Sequence, residues 1–161
     1  MKPGTFTQLY EHLVFAVRLR ECLLNHSRRS VVFSYMSGIV KNLGHKSLII
    51  NGYSDHVHVL YSRNPSISTS DTVAGIKKSS AWFINEQNWF HGKFQWQDGY
   101  GAFSYSRSQI DDVYKYITRQ EEHHKALRFR EEYIRMLKTE QIEFDEKFLF
   151  EFFEDIESAD S

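Results

Sequence analysis

Two short stretches of this chain hold residues whose types and spacing could do chemistry. The run Asp55-His56-Val57-His58-Val59-Leu60-Tyr61 alternates with period 2 and is rich in Val, Leu and Tyr, which predicts a β-strand. Alternation puts His56 and His58 on one side, with Leu60 behind them, and Val57, Val59 and Tyr61 on the other. Imidazoles at that spacing lie about 7 Å apart along a strand and can share one divalent cation if a third ligand arrives from elsewhere. His-x-His also arises by chance, so the rest of the chain has to supply that ligand. The second stretch, Gln109 to Lys125, reads as a helix with Ile110, Val113 and Ile117 as its apolar stripe. Beside that stripe Asp112, Tyr116, Gln120 and His124 follow at i, i+4. Gln120 offers a neutral amide oxygen to a metal and Tyr116 a phenol that can act as a nucleophile. The same pattern would suit a half-buried tyrosine beside a solvated polar face. Tyr114 is the competing phenol; it points about 160° away from Tyr116 around the helix, and its i+4 neighbour, Thr118, is a poor metal ligand.

These residues must be positioned by the elements around them. Leu9–Val17 reads as a first strand. A helix opens at the Ser27–Ser30 cluster with Val32, Met36, Ile39, Val40 and Leu43 inward, and Gly44 is its stop signal. Ser47–Ile50 predicts a second strand, joined to the histidine strand by a turn over Gly52–Asp55. Ser70 or Asp71 caps a second helix running to about Asn88, with Val73, Ile76, Ser80 and Phe83 inward. The start of the aromatic segment Phe94–Tyr105 predicts a fourth strand, with a turn at Gly99–Gly101. The tyrosine helix then runs from about Gln109 to Ala126. Helical pieces are expected near Phe129–Lys138 and Phe144–Ile156. The order strand-helix-strand-strand-helix-strand predicts an α+β, ferredoxin-like (RRM-like) βαββαβ sandwich: a four-stranded antiparallel sheet with both helices on one face. The tyrosine helix and a helical acidic extension follow it. If Val57 and Val59 face the helices, the histidines stand on the free face, which nucleic-acid modules of this topology use.

Composition narrows the classes. The 161 residues suit one domain, and 41% hydrophobic with 16% aromatic content argues for a packed core. The lone Cys22 excludes an internal disulfide and a cysteine-based zinc site, so reducing, cytoplasmic surroundings are expected. No apolar run approaches the length of a membrane span, and no signal-peptide core is visible. The net charge of −1 conceals polarity: 17 Lys/Arg against 10 Asp/Glu in residues 1–130, but 3 against 11 in residues 131–161. A basic body fits a polyanionic partner, with the acidic end turned away from it or shielding it; a solvated surface with an acidic helix fits the counts equally well.

Taken together, the motifs resemble the small single-tyrosine HUH transposases of bacterial insertion sequences, including the REP-associated tyrosine transposases. The resemblance rests on Tyr10-Glu-His-Leu-Val-Phe15, Asp55-His-Val-His-Val-Leu60, Ile76-Lys-Lys-Ser-Ser-Ala-Trp-Phe-Ile-Asn85, Phe94-Gln-Trp-Gln-Asp-Gly-Tyr-Gly-Ala-Phe-Ser104 and Tyr116-Ile-Thr-Arg-Gln-Glu-Glu-His-His124, in the family's order and spacing. One departure is Ser54, where the family often has proline before Asp-His; that alters a turn.

The resemblance implies a catalytic body over residues 1–126, including the tyrosine helix at about 109–126, and an acidic extension of the same domain over 127–161. It implies Mg2+ or Mn2+ on His56, His58 and Gln120, with coordination positions left for phosphate oxygens. It further implies attack by Tyr116 on single-stranded DNA with hairpin ends, giving a 5′-phosphotyrosine and a free 3′-OH for later rejoining. A homodimer follows by the same analogy, in which the tyrosine helix can serve its own histidines or complete the partner's site in trans, in a cytoplasmic bacterial protein acting at the nucleoid. Lys77, Lys78, Arg107, Lys115 and Arg119 are then candidates for phosphate contacts, and Trp82, Trp96 and Tyr100 for base stacking. His12, Asp55 and His124 are possible neighbours of the site. Two alternatives remain: a domesticated protein of this fold that holds hairpin DNA or RNA without cutting, and a structural metal site in an unrelated ferredoxin-like protein.

Overall fold

The computed structural model describes residues 2–153. Four strands, β1 (Tyr10–Ala16), β2 (Lys46–Tyr53), β3 (His56–Ser62) and β4 (Gly101–Tyr105), form one sheet in the order β2-β3-β1-β4, with every neighbouring pair antiparallel. With α1 (His26–Asn42) between β1 and β2 and α2 (Thr69–Glu86) between β3 and β4, this is the ferredoxin-like arrangement expected from the element order. Local chemistry explains the helix ends. The Asn25 side chain accepts from Arg28 N at 3.0 Å to start α1, and Ser68 Oγ accepts from Asp71 N at 3.1 Å to start α2. Gly44 follows α1 at φ +102°, a conformation that glycine adopts without steric cost. The β2–β3 hairpin turns tightly over Ser54-Asp55; a Cβ on Gly52 would meet His56 O at 2.2 Å, so the close strand approach there requires glycine.

Pairing decides which side chains share a face. Leu13, Phe15, Val57, Val59 and Tyr61 are fully buried in one core cluster with α1 (Val32, Met36, Val40) and α2 (Val73, Ile76, Ile84). Each such side chain contributes roughly 1.5–3 kcal/mol of burial. His12, Val14, Ala16, His56, His58 and Leu60 occupy the opposite face, with His58 paired between Val14 and Asn51.

That opposite face is covered, contrary to the expectation of a free one. Three helices lie over it: α3 (Ile110–Thr118), α4 (Gln120–Ala126) and α5 (Phe129–Thr139). Ile110 and Ile117 of α3 pack on Leu60 in a second, smaller cluster. The inward residues of α5 include Phe129, Tyr133 and Leu137, one turn apart. Residues 144–153 are not the expected helix beyond a short 3-10 turn at Glu146–Phe148; residues 154–156 of that expectation lie outside the described residues. Phenylalanines with period 2 favour an extended course, and Phe150 and Phe152 both reach the Phe129 ring, at 6.0 and 5.5 Å between centroids. Glu151 and Gln97 exchange hydrogen bonds of 2.7 and 2.8 Å, tying this return to the body.

Two further expectations are corrected. The fourth strand lies after the glycine turn, at Gly101–Tyr105, whereas the Phe94–Trp96 segment makes one isolated bridge, Val17 to Trp96. The tyrosine helix is two helices, broken at Arg119 (φ −95°, ψ 22°). Asn51 Nδ2 of β2 donates to the carbonyls of Ile117 and Thr118 at 2.9 and 3.2 Å, taking two of the end carbonyls of α3. No helix among the described residues is long and apolar enough to cross a membrane.

Candidate active site

The rigid part of the site is β3. His56 and His58 are 1% and 0% exposed, aimed from the sheet at α4 and α5. Both ring nitrogens of His56 have oxygen partners: Nδ1 lies 2.8 Å from Asp55 Oδ1, and Nε2 lies 2.9 Å from Gln120 Oε1 and 3.3 Å from Glu132 Oε1. Burial pulls the His56 pKa down, but the Asp55 carboxylate and then Glu132 outweigh it and push it up to about 10. His58 differs. Its Nε2 faces Glu132 Oε1 at 3.2 Å, while its Nδ1 faces His12 Nε2 at 2.7 Å, and His12 Nδ1 lies 3.1 Å from the Tyr105 hydroxyl. Burial lowers the His58 pKa, with Glu132 opposing, and burial with His58 beside it holds His12 well below the usual range. We therefore take His56 as the charged imidazole and His12 and His58 as neutral.

Glu132 stands at the centre of the cluster, 1% exposed. Its Oε1 faces the three Nε2 atoms of His56, His58 and His124, the last at 3.1 Å. Its Oε2 accepts from Gln120 Nε2 at 2.9 Å and from the Tyr116 hydroxyl in a very close hydrogen bond. Burial alone would raise the Glu132 carboxyl, but His58, His124 and His56 around it hold it well below the usual carboxylate range. Burial, then Glu132, raises the Tyr116 phenol above its ordinary value. Gln120 Oε1 also lies 3.1 Å from His124 Nε2. Phe129 lies flat on His56, with centroids 3.9 Å apart and planes 2° from parallel, excluding water from that side.

Most of the residues singled out in the sequence come together here. Tyr116 sits edge-on to His58 at 6.1 Å within one chain, so the tyrosine meets its own histidines. Tyr114 is 45% exposed and points away. His12, Asp55 and His124 are all buried against the ligand candidates. The residue that sequence reasoning missed is Glu132, which looks like part of a solvated Glu131-Glu132 pair. The available signal was its register: Glu132 falls between Phe129 and Met136 on the inward side of α5, a carboxylate inside an apolar stripe.

The proposed nucleic-acid contacts divide. Trp96 is core, 7% exposed, edge-on to Phe15 with its Nε1 donating to Ser80 Oγ at 2.9 Å, so it offers no stacking platform. Lys77 is half-buried on the same groove wall as Lys78, and its Nζ donates to the carbonyls of Gln97 and Gly99, both at 2.7 Å, holding that turn. Lys78, Arg107, Lys115 and Arg119 are exposed, as are Trp82 (59%) and Tyr100 (39%). Trp82 and Lys78 line a groove of about 830 Å3 with Arg18 and Lys93 on the α2 side. A separate cleft of about 330 Å3 opens beside Tyr116, lined by His12, Phe103, Tyr105 and Met136.

The donor set fits a divalent ion. Ligand bonds of about 2.1 Å place neighbouring donor atoms roughly 3.0–3.4 Å apart, and His56 Nε2 to Gln120 Oε1 is 2.9 Å. The His56, His58 and Glu132 ligand atoms all lie within 4.8 Å of one another. Deprotonated His56 would keep its Nδ1–H on Asp55, the outer hydrogen bond that orients metal-binding histidines.

Comparison with known proteins bears on the family and the fold. A search of curated protein sequences returned no match. Among solved structures, the fold is similar to a protein from Deinococcus radiodurans R1 classed as a transposase, with a TM-score of 0.59 at 21% identity, covering 74% of this chain and 96% of that one. It is also similar to a REP-associated tyrosine transposase bound to a REP hairpin, with a TM-score of 0.57 at 11% identity, covering 79% of this chain and 76% of that one. Both likenesses bear on the fold. Family membership rests on sequence: residues 5–120 match the profile of the IS200-like transposases, and the chain therefore belongs to that family of DNA-transposing enzymes.

Proposed function

We propose that this transposase cuts and rejoins single-stranded DNA through a tyrosine ester, with Tyr116 as nucleophile and His56, His58 and Gln120 as metal ligands. The observation that carries the reading is convergence on one carboxylate: Tyr116 Oη, His56 Nε2 and His58 Nε2 all reach Glu132, so nucleophile and ligand candidates are one carboxylate apart. Mg2+ or Mn2+ bound there supplies Lewis-acid polarisation of a phosphate oxygen. The chain's own residues do the rest. Tyr116 Oη forms the bond to phosphorus as the bond to the 3′ oxygen breaks, leaving a 5′-phosphotyrosine and a 3′-OH. The phenol proton already has an acceptor in Glu132 Oε2, and the departing 3′ oxygen takes one up. Exchange of one phosphate ester for another is close to isoenergetic, so a second 3′-OH can reverse it without ATP.

The cleft beside Tyr116 gives the strand a route to the hydroxyl, and the groove bearing Lys78, Arg18, Lys93 and Trp82 supplies cations and a stacking ring for the hairpin. Within one chain Tyr116 already lies against His58, and the homodimer that the family resemblance implies belongs to the same reading. The test is a labelled single-stranded oligonucleotide carrying an imperfect palindrome from the DNA flanking the gene. A Mn2+- or Mg2+-dependent adduct that survives denaturing electrophoresis is expected, and Tyr116→Phe should abolish it. Adduct formation by Tyr116→Phe would remove the assigned nucleophile. Tight hairpin binding unaffected by chelator, with no cleavage, would favour a pure binder.

A further inference from the structure

We infer that Glu132 is itself a ligand of the divalent ion, so that the ion staples α5 to the sheet and is held by a carboxylate, two imidazoles and an amide oxygen. The inference rests on the reading of His56, His58 and Gln120 as ligands and extends it to a residue beyond residue 120, where the family match stops.

Four observations carry it. Glu132 Oε1 is 3.3 Å from His56 Nε2 and 3.2 Å from His58 Nε2, and those three atoms form the one His/Cys/Asp/Glu cluster of metal-ligand spacing among the described residues. The outer nitrogens of both histidines have buried acceptors for the proton a ligand must carry there. Those acceptors are Asp55 Oδ1 for His56 and His12 Nε2 for His58, with His12 Nδ1 in turn able to donate to the Tyr105 hydroxyl. His124 fails the same criterion: its Nδ1 is buried without a partner, so its proton belongs on Nε2, where it donates to Glu132 Oε1 or Gln120 Oε1. His124 is thus a positioning residue and Glu132 a ligand. Finally, the two Glu132 oxygens have separate duties: Oε1 faces the histidines, while Oε2 holds Gln120 Nε2 and Tyr116 Oη.

The chemistry of this set has a consequence for the ion. Mg2+ prefers an oxygen shell with several waters kept, whereas two imidazoles with a carboxylate suit Mn2+ and the first-row ions after it. Manganese should therefore bind more tightly than magnesium.

The experiment is Mn2+ titration of the full chain by calorimetry, with hydrogen–deuterium exchange followed over residues 129–139. One ion per chain is expected, bound more tightly than Mg2+. Mn2+ at a hundred times its Kd should slow α5 exchange by up to about a hundredfold in the wild type. Glu132→Gln should weaken Mn2+ by at least about tenfold and remove that protection. The wild-type exchange arm needs no variant to fold. Wild-type binding that is lost in His58→Ala, with Glu132→Gln binding as tightly and α5 exchange unmoved by Mn2+, would overturn the inference and leave the two-histidine reading standing. Absence of wild-type binding, or binding that survives His58→Ala, would overturn both.

Discussion

Replacing Phe129 by alanine should release α5 while leaving the sheet intact. The ring is 2% exposed, lies flat on His56 and touches Tyr133, Phe150 and Phe152. A buried phenyl ring removes about 150–250 Å2 from water, worth roughly 4–6 kcal/mol at 25 cal/mol/Å2, and measured Phe→Ala losses in cores are about 3–5 kcal/mol. The residues that Phe129 touches in α5 and the returning tail are themselves part of the cover, so most of that loss should fall on the docking of the cover. If α5 opens as its own cooperative unit, about 3–5 kcal/mol speeds exchange of its amides by roughly a hundredfold to several thousandfold. Native-state hydrogen exchange read by mass spectrometry distinguishes the outcomes. Amides of α5 should accelerate by that factor while those of β1 and β3 keep wild-type protection. Equal acceleration of the central strands would show that α5 is not a separable layer, and unchanged α5 exchange would show that the ring does not hold it.

Two further positions give independent tests, Gly101 beneath the cover and His45 on the α2 side of the sheet. A Cβ on Gly101 would lie 2.7 Å from Tyr133 Oη and 2.9 Å from its Cε1. Gly101→Ala should therefore cost about 1–3 kcal/mol in urea unfolding. Adding Tyr133→Leu should recover part of that loss, whereas simple additivity of the two would refute the steric account. His45, buried at the end of α1, accepts from Asn64 N at 3.0 Å through Nδ1 and faces Thr72 Oγ1 at 2.9 Å through Nε2, a pattern only the neutral ring satisfies. Burial lowers its pKa from 6.5 despite Glu11, with Arg63 adding to the drop. A histidine held below its unfolded value binds fewer protons folded than unfolded, so its contribution is full above about pH 6.5 and is lost as pH falls through the folded pKa. Wild type should lose stability between pH 7 and 5 more steeply than His45→Gln, by at most one proton or about 1.4 kcal/mol per pH unit. Parallel curves would contradict this.

The hydrophobic period and the turn residues made much of the fold legible. Val57, Val59 and Tyr61 against His56 and His58 defined the two sheet faces, and Gly44 and the Gly52–Asp55 turn marked real ends. What failed was information carried by distant partners. Phe94–Trp96 looks like a strand, but its aromatic rings are used to fill the α2 core, and the sheet is completed by the less conspicuous Gly101–Tyr105. At the break before Arg119 the end carbonyls of α3 are taken by Asn51, far away in the chain, and no helix propensity announces it. The covered face and Glu132 were illegible for a similar reason: an acidic extension reads as solvated until its apolar stripe is matched to a surface lacking a partner. Tyr116 and Gln120 share a side because their i, i+4 spacing survives the break well enough for both to reach Glu132.

That break divides mechanical responsibility within the site. Asn51 moors the end of α3, and with it Tyr116, to strand β2. Glu121 of α4 is moored to α1 instead, through Arg29 at 3.0 Å and His26 at 2.6 Å, which carries Gln120 beside it. The Tyr116 hydroxyl and the Gln120 amide are therefore referenced to different struts of the scaffold and meet across a single joint. Loosening the α1 mooring would move the Gln120 amide relative to the Tyr116 hydroxyl, and the Glu132 carboxylate that both grip limits how far the two can part.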